Sequence, residues 1–188
     1  MKNQLLWAFS LLVLFMIACK PAATTDEKAS AAKADSTAMA APASAPAEFA
    51  DMKYSETVKN GMAGLSKGDI AAWMAPFADN AVYLWNGGDS LAGKAAINTY
   101  WTKRRGEVVD SLTFKKEIFL PIKVNNPQSV EASGIWVLAW YETTAKYKAT
   151  GKKMTQWMHT DSHFDANGKI DRMIHYSDRS IINAAMTK

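Results

Sequence analysis

Histidines and an aspartate near the C-terminus have the clearest potential for proton-transfer chemistry in this chain. His159, Asp161 and His163 alternate along one segment, and His175 follows after a predicted turn. Alternate side chains of a β-strand point to the same face, so Asp161 can orient and charge-stabilise His159, whose side chain type titrates near neutral pH. His159 and Asp161 are therefore the predicted acid–base pair of a catalytic site, should the protein be an enzyme.

The side of the sheet on which His175 lies depends on the turn between the last two predicted strands. A type I turn closed by Gly168 in a left-handed bulge pairs Phe164 with Ile170 and places His175 opposite His159. A tight two-residue turn shifts the register by one residue and moves His175 to the other face. The bulged register pairs apolar with apolar side chains, so it is the preferred prediction.

The same histidines raise the question of a metal site. In a helix, His159 and His163 would lie one turn apart, as in zinc proteases. In a strand they are about 13 Å apart, at roughly 3.3 Å per residue, so both cannot bind one ion. We therefore expect no metal. The sequence also contains no glycine-rich phosphate loop or nucleotide fingerprint, so we expect no cofactor.

Tryptophan is unusually abundant in the predicted domain, at positions 73, 85, 101, 136, 140 and 157. Several of these large flat side chains should line a space between helices and sheet that takes a small apolar or aromatic molecule. The alternative is that they fill a solid core. The predicted walls of the pocket are Tyr83, Trp85, Trp136 and Trp157. His159 and Asp161 are its candidate polar anchors.

Hydrophobic periodicity predicts helices first and mostly strands afterwards. Apolar residues recur at three or four positions in three predicted helices, over 54–68, 69–76 and 95–105. Strands are predicted over 80–85, 112–124, 130–142, 154–164 and 170–177. This order predicts an α+β domain over residues 50–188, with N-terminal helices packed on a curved antiparallel sheet.

Four segments, taken in order, resemble the SnoaL-like branch of the nuclear transport factor 2-like superfamily. They are residues 67–70, 77–83, 91–101 and 164–170 together with 176–178. The resemblance implies a cone of helices against a strongly bent sheet, with an interior that often holds a small apolar ligand. Members include polyketide cyclases, ketosteroid isomerase, epoxide hydrolases and dehydratases, so the fold alone does not decide the function.

The resemblance also bears on catalysis. Isomerase-like and cyclase-like members often have an acidic residue followed by proline late in the first strand, but Trp85 and Asn86 occupy those positions here. Tyr54 is the one candidate for the phenol that isomerases place on their first helix. We therefore predict a binding domain without catalysis. The alternatives are a cofactor-independent lyase, isomerase or hydrolase using His159 and Asp161, and an interaction module that forms a homodimer through its sheet, as family members often do.

The N-terminus predicts export and membrane anchoring. A basic start precedes an apolar run over 5–17 that is too short for a bilayer-spanning helix of about 20 residues. The segment resembles a bacterial lipoprotein signal, which implies a signal peptide over 1–18 and a lipidated Cys19. The predicted location is the cell envelope, and Lys20, rather than an aspartate after the cysteine, favours the outer membrane.

Composition separates a linker from the domain. Residues 19–49 are rich in Ala, Ser, Thr and Pro and predict a disordered tether. Cys19 is the single cysteine, so no intramolecular disulfide can form. The net charge of +4 is modest, and the basic clusters 103–105 and 152–153 lack interleaved aromatics. We expect both clusters to be solvated, and no nucleic-acid partner.

Overall fold

Residues 45–127 and 132–188 are described by a computed structural model. Their helices are α1 (Lys53–Lys67), α2 (Ile70–Met74), α3 (Lys94–Lys103) and α4 (Arg179–Met186), and a π-helical turn (Arg104–Val108) continues α3. Their strands are β1 (Ala47–Phe49), β2 (Phe77–Trp85), β3 (Ser90–Ala92), β4 (Val109–Val124), β5 (Gly134–Tyr147), β6 (Lys153–Phe164) and β7 (Ile170–Tyr176). The predicted α+β class is confirmed.

The described strands form one curled sheet in the order β1-β4-β5-β6-β7-β2-β3. Neighbouring strands pair in antiparallel fashion except β2 and β7, which are parallel. The predicted curved antiparallel sheet is therefore confirmed, with β2 and β7 as the parallel pair among the described strands. Because β2 and β7 are far apart in sequence, no hairpin turn fixes their relative direction.

Two adjacent residues set the sharp junction between α1 and α2. Gly68 ends α1 with a φ of 81°, a left-handed conformation that glycine adopts without steric cost. Asp69 then begins α2, and its Oδ1 accepts a hydrogen bond from the Ala72 backbone N–H at 2.9 Å. The junction brings the Trp73 ring to 3.4 Å from the position that a Cβ atom would occupy at Gly61. The predicted boundary at 68–69 is confirmed.

The hairpin between β6 and β7 contains a bulge that changes which side chains share a face. Phe164 pairs with Ile170 as predicted, and Gly168 has a left-handed φ of 71°. The register then shifts by one residue, so that His159 pairs with Tyr176 and Thr160 with His175. The prediction that His175 faces His159 is therefore wrong, and His175 points to the inner face of the sheet.

The end of the predicted tether is also structured. Ala47–Phe49 pairs with residues 122–124 of β4, and Glu48 forms an ion pair of 2.8 Å with Lys123. The edge of β4 offers backbone groups with which a segment of low strand propensity can pair, so the prediction of disorder is wrong for these three residues. Residues 1–44, including Cys19 and the predicted signal peptide, lie outside the described residues. Within the described ranges, no helix is long and apolar enough to cross a membrane.

Candidate functional site

A cavity of about 490 Å³ lies between the helices and the inner face of the sheet. Side chains from α1, α2, α3 and α4 form one side, and side chains from β2, β4, β5, β6 and β7 form the other. The surface is mainly apolar, with Met62, Leu65, Phe114, Met158 and Met173 among its residues. Cavities of about 300–1,000 Å³ with apolar walls and a few polar groups are typical of small-molecule sites.

Aromatic rings form a continuous wall on the α3 side of this cavity. Tyr83 and Trp85 of β2 both line it, and their ring centroids lie 4.7 Å apart. Trp85 also contacts Tyr100 of α3 at 5.1 Å, and Trp101 lies 5.8 Å from Trp73. These edge-on and tilted contacts hold the rings in fixed positions. The indole of Trp85 thus forms part of the cavity wall.

The other two predicted wall residues lie elsewhere. Trp157 is 53% exposed on the outer face of the sheet. Trp136 is buried, but its Nε1 donates a hydrogen bond to the Ala132 carbonyl at 2.9 Å and its ring contacts His163 on the outer face. Neither belongs to the cavity lining. The prediction of Trp136 and Trp157 as pocket walls is wrong because their positions in β5 and β6 alternate with those of the inward-facing residues.

His159 and Asp161 do form a close pair, but they do so on the outer face. The distance between His159 Nε2 and Asp161 Oδ1 is 2.6 Å, and His159 Nδ1 lies 3.0 Å from the Ala139 carbonyl. The imidazole stacks on Trp140 at 4.5 Å and neighbours Tyr176 at 5.4 Å. Because the pair lies on the opposite side of the sheet from the cavity, it cannot transfer protons to a molecule bound there.

His175 is the histidine that lines the cavity. Burial, with smaller effects from the charges of Arg104 and His159, lowers its pKa to about 4. The ring is therefore neutral at pH 7 and stacks near Tyr83 at 6.2 Å. Its Nδ1 is buried and has no hydrogen-bond partner among the described residues. It can accept or donate one hydrogen bond, depending on the tautomer.

Three further polar atoms of cavity-lining side chains lack a hydrogen-bond partner within the described part of the chain. They are Nε1 of Trp73, Nε1 of Trp101 and Oγ1 of Thr143. Buried polar groups are normally hydrogen-bonded, and an indole N–H can only donate. These atoms are themselves buried, although they belong to side chains that line the cavity.

Two arginines contribute charge to the lining. Arg179 is paired with Asp89, the one carboxylate among the described lining residues. Arg104 is half-buried, with its Cζ 5.9 Å from the centre of the Tyr100 ring. The neighbouring Arg105 donates hydrogen bonds to three backbone carbonyls at 3.0–3.2 Å. The prediction that residues 103–105 are a solvated cluster is thus wrong for both arginines.

The spacing of Arg104 could have revealed its role. It follows Trp101 by three positions and Tyr100 by four, which places it on the apolar side of α3 as that side continues into the π-helical turn.

Tyr54, the candidate phenol, packs against Phe164 at 4.8 Å and is not a lining residue. Within the described ranges, no group of three or more His, Cys, Asp and Glu side chains could hold a metal ion.

The comparisons with known proteins agree with this architecture. The profile of the SnoaL-like domain family matches residues 58–173, and the chain belongs to this family. A search of curated proteins finds no match. Several solved structures share the fold. Because their sequences are only distantly similar to this chain, the similarity shows a common fold and nothing further.

Three of these structures illustrate the range of relatives. A candidate polyketide cyclase from Xanthomonas campestris pv. campestris is 16% identical, with a TM-score of 0.59 over 72% of this chain and 98% of that one. An LEH-like epoxide hydrolase from M. tuberculosis is 16% identical, with a TM-score of 0.51 over 72% and 90%. An NTF2-like protein from Burkholderia xenovorans LB400 is 17% identical, with a TM-score of 0.55 over 74% and 100%.

Proposed function

We propose that this chain is a membrane-tethered SnoaL-like domain that binds a small apolar or aromatic molecule in its cavity without catalysing a reaction on it. The observation that carries the proposal is the cavity itself, which is large and walled by aromatic and aliphatic side chains, a few of which carry buried polar atoms without a described partner. These are the properties of a small-molecule site.

The distribution of titratable groups favours binding over catalysis. A general acid or base works best with a pKa near the working pH. His175 has a pKa of about 4, and Asp89 is held by Arg179. The His159–Asp161 pair, on which the alternative of a lyase, isomerase or hydrolase depends, lies on the opposite face of the sheet. The similarity to a polyketide cyclase and an epoxide hydrolase is a similarity of fold.

Filling the cavity tests the proposal directly. N-phenyl-1-naphthylamine is a neutral aromatic probe whose fluorescence rises when it leaves water, and we expect saturable binding to the full chain. Ala145, which is buried and lines the cavity, lies next to Thr144 of β5, whose side chain is on the outer face. Ala145→Phe should abolish probe binding, and the matched control Thr144→Phe should retain it.

Two results would contradict binding in the cavity. One is the absence of saturable fluorescence with the wild-type chain. The other is equal probe affinity in Ala145→Phe and the wild type, which would place the probe elsewhere. Circular dichroism of each variant reports whether the fold is intact.

We further propose that lipidation of Cys19 attaches the domain to the bacterial cell envelope, most simply the outer membrane. The support is the sequence, since a diacylated or triacylated cysteine anchors a protein firmly. Expression in a Gram-negative bacterium with an alkyne-labelled fatty acid should label the wild type, and Cys19→Ala should be unlabelled. A labelled Cys19→Ala variant, or an unlabelled wild type, would refute this attachment.

A second candidate role is homodimer formation through the outer face of the sheet. The observation that favours it is a group of exposed apolar side chains on this face, Ile118, Trp140, Trp157 and Tyr176. Ile118 pairs with Trp140 across the strands, and His159 lies between Trp140 and Tyr176. Exposed apolar patches of this kind often mark interaction sites. Light scattering of the full chain in a mild detergent should give a dimer that Trp157→Glu weakens and Asn98→Glu, on exposed α3 surface, does not. A monomeric wild type would exclude the dimer.

A further inference from the structure

We propose that the cavity selects small organic anions, with an apolar or aromatic body and one carboxylate-like group, and that Arg104 is the anchor for that group. This inference rests on the proposed binding function and deepens it by naming the class of ligand. It follows from the charge of the lining, the position of Arg104 and the unpartnered indole N–H groups of two lining tryptophans.

The position of Arg104 brings a positive charge to an otherwise apolar cavity. The residue is half-buried, lines the cavity and lies over the Tyr100 ring. Its charge acts on buried groups from both sides of the cavity. Burial raises the pKa values of Tyr83, Tyr100 and Tyr147, and the Arg104 charge opposes that rise in each case. The guanidinium is therefore close to the interior and not directed away from it.

No carboxylate of the described residues lies within ion-pair distance of Arg104. The other charges of the lining, Arg179 and Asp89, neutralise each other, and His175 is neutral at pH 7. Removing a charge from water is unfavourable unless a counter-charge or hydrogen bonds compensate. The Tyr147 hydroxyl is within hydrogen-bonding reach of Arg104, and the Tyr100 ring lies beneath it, but no described carboxylate neutralises its charge. A bound anion would supply that counter-charge, whereas a bound cation would be repelled.

The hydrogen-bonding groups near Arg104 also favour an anionic ligand. Trp101 precedes Arg104 by three positions, so the two side chains are neighbours on the helix surface. Its Nε1 has no partner among the described residues, and neither does Nε1 of Trp73, whose ring contacts Trp101. A guanidinium and two indoles offer only N–H donors. Carboxylate oxygens accept from such donors, and arginine matches their geometry with two parallel hydrogen bonds.

The aromatic wall defines the rest of the ligand. Tyr83, Trp85 and Tyr100 surround the space next to these donors with ring faces and edges. A flat hydrocarbon body can stack there while its acidic group reaches Arg104. The site therefore matches an aryl or arylalkyl carboxylate better than a phosphorylated sugar or a metabolite with several charges.

A pair of nearly isosteric probes separates charge from shape. We expect the full chain to bind 2-naphthoate about tenfold to a hundredfold more tightly than 2-naphthamide at pH 7.5, as measured by calorimetry, because charged hydrogen bonds are stronger than neutral ones. Arg104→Gln should bring the naphthoate affinity to within about threefold of the naphthamide affinity. The control Lys103→Gln removes an exposed positive charge one residue away, outside the lining, and should preserve the preference.

The outcomes distinguish this inference from the function on which it rests. Equal binding of the two probes by the wild type would overturn the anion preference and leave a binding cavity. Absence of binding by both probes, and by the neutral naphthylamine probe, would overturn the binding function itself. A preference that survives in Arg104→Gln with the fold intact would remove Arg104 as the anchor. Because the wild-type comparison alone can refute the preference, the test does not depend on the stability of the variant.

Discussion

Acidification should destabilise this protein through His175, and the size of the effect can be worked from the cavity. The unperturbed pKa of the side chain is 6.5, and burial lowers it to about 4 in the native protein. The unfolded chain therefore binds a proton at His175 below about pH 6.5, whereas the native chain does so only below about pH 4. The part of the free energy of unfolding that depends on His175 is retained above about pH 6.5, falls as the pH drops towards 4, and levels off below that value.

The magnitude follows from the proton-binding difference. Between pH 7.5 and 5.0, this single residue should lower the free energy of unfolding by about 2 kcal/mol. His175→Gln replaces the ring with an uncharged side chain and should remove this part of the pH dependence. Any change in the free energy of unfolding that the substitution itself causes is independent of pH in this interval.

The free energy of unfolding of the wild type and of His175→Gln is measured at pH 7.5, 6.5, 5.5 and 5.0 by urea denaturation followed by far-ultraviolet circular dichroism. Exposed carboxyl groups with lowered pKa values, such as Asp165 and Asp178, lose their contribution mainly below this interval and are common to both proteins. The expected result is a wild-type curve that falls by about 2 kcal/mol more than that of His175→Gln. Parallel curves would refute the reasoning, because they would show that His175 is solvated and titrates normally.

Three other predictions concern packing and the two faces of the sheet. Gly64→Ala should lower the free energy of unfolding by about 1–3 kcal/mol in thermal or urea denaturation, because its Cβ would lie 2.8 Å from a side-chain carbon of α2. Gly61→Ala, whose Cβ would lie 3.4 Å from its nearest neighbour, should be neutral or stabilising by up to about 1 kcal/mol. Equal losses of stability in the two variants would contradict the close contact between α1 and α2. Asp161→Asn should leave naphthylamine binding unchanged, and loss of binding in a folded variant would place the outer-face pair in the site. Arg105→Gln should lower the free energy of unfolding by about 2 kcal/mol in the same assay, because it removes three hydrogen bonds to backbone carbonyls. The control Lys103→Gln should change it by less than about 0.5 kcal/mol. Similar losses in the two variants would argue against this role of Arg105.

The parts of the fold that were predictable from sequence depend on local signals. Gly68 and Asp69 define the junction of α1 and α2 through their own backbone conformation and side-chain capping, and the Gly168 turn is equally local. The parallel pairing of β2 with β7 and the addition of β1 at the edge of β4 depend on contacts between distant segments. The short helix α4, begun by Asp178, was likewise missed, although its aspartate cap is a recognisable signal.

The location of the candidate site illustrates a specific limit of strand periodicity. Alternation correctly placed Trp157, His159, Asp161 and His163 on one face of β6, but alternation does not say which face is buried. The inner face of this strand includes Thr160 and Ser162, both buried, and these polar residues hide the usual contrast between an apolar and a polar side. A one-residue bulge at position 171 then places His175 on the inner face of the sheet, and no local sequence pattern predicts this bulge.

The most direct test of ligand binding in the cavity is the ¹⁵N–¹H spectrum of the tryptophan indoles in the full chain, recorded with and without 2-naphthoate and assigned with single Trp→Phe variants. Trp73 and Trp101 line the cavity and have unpartnered indole N–H groups among the described residues, whereas Trp140 and Trp157 lie on the outer face. A cavity ligand should shift the indole signals of Trp73 and Trp101 and leave those of Trp140 and Trp157 in place. Shifts confined to the outer-face indoles, or none at saturating naphthoate, would contradict a ligand-binding cavity.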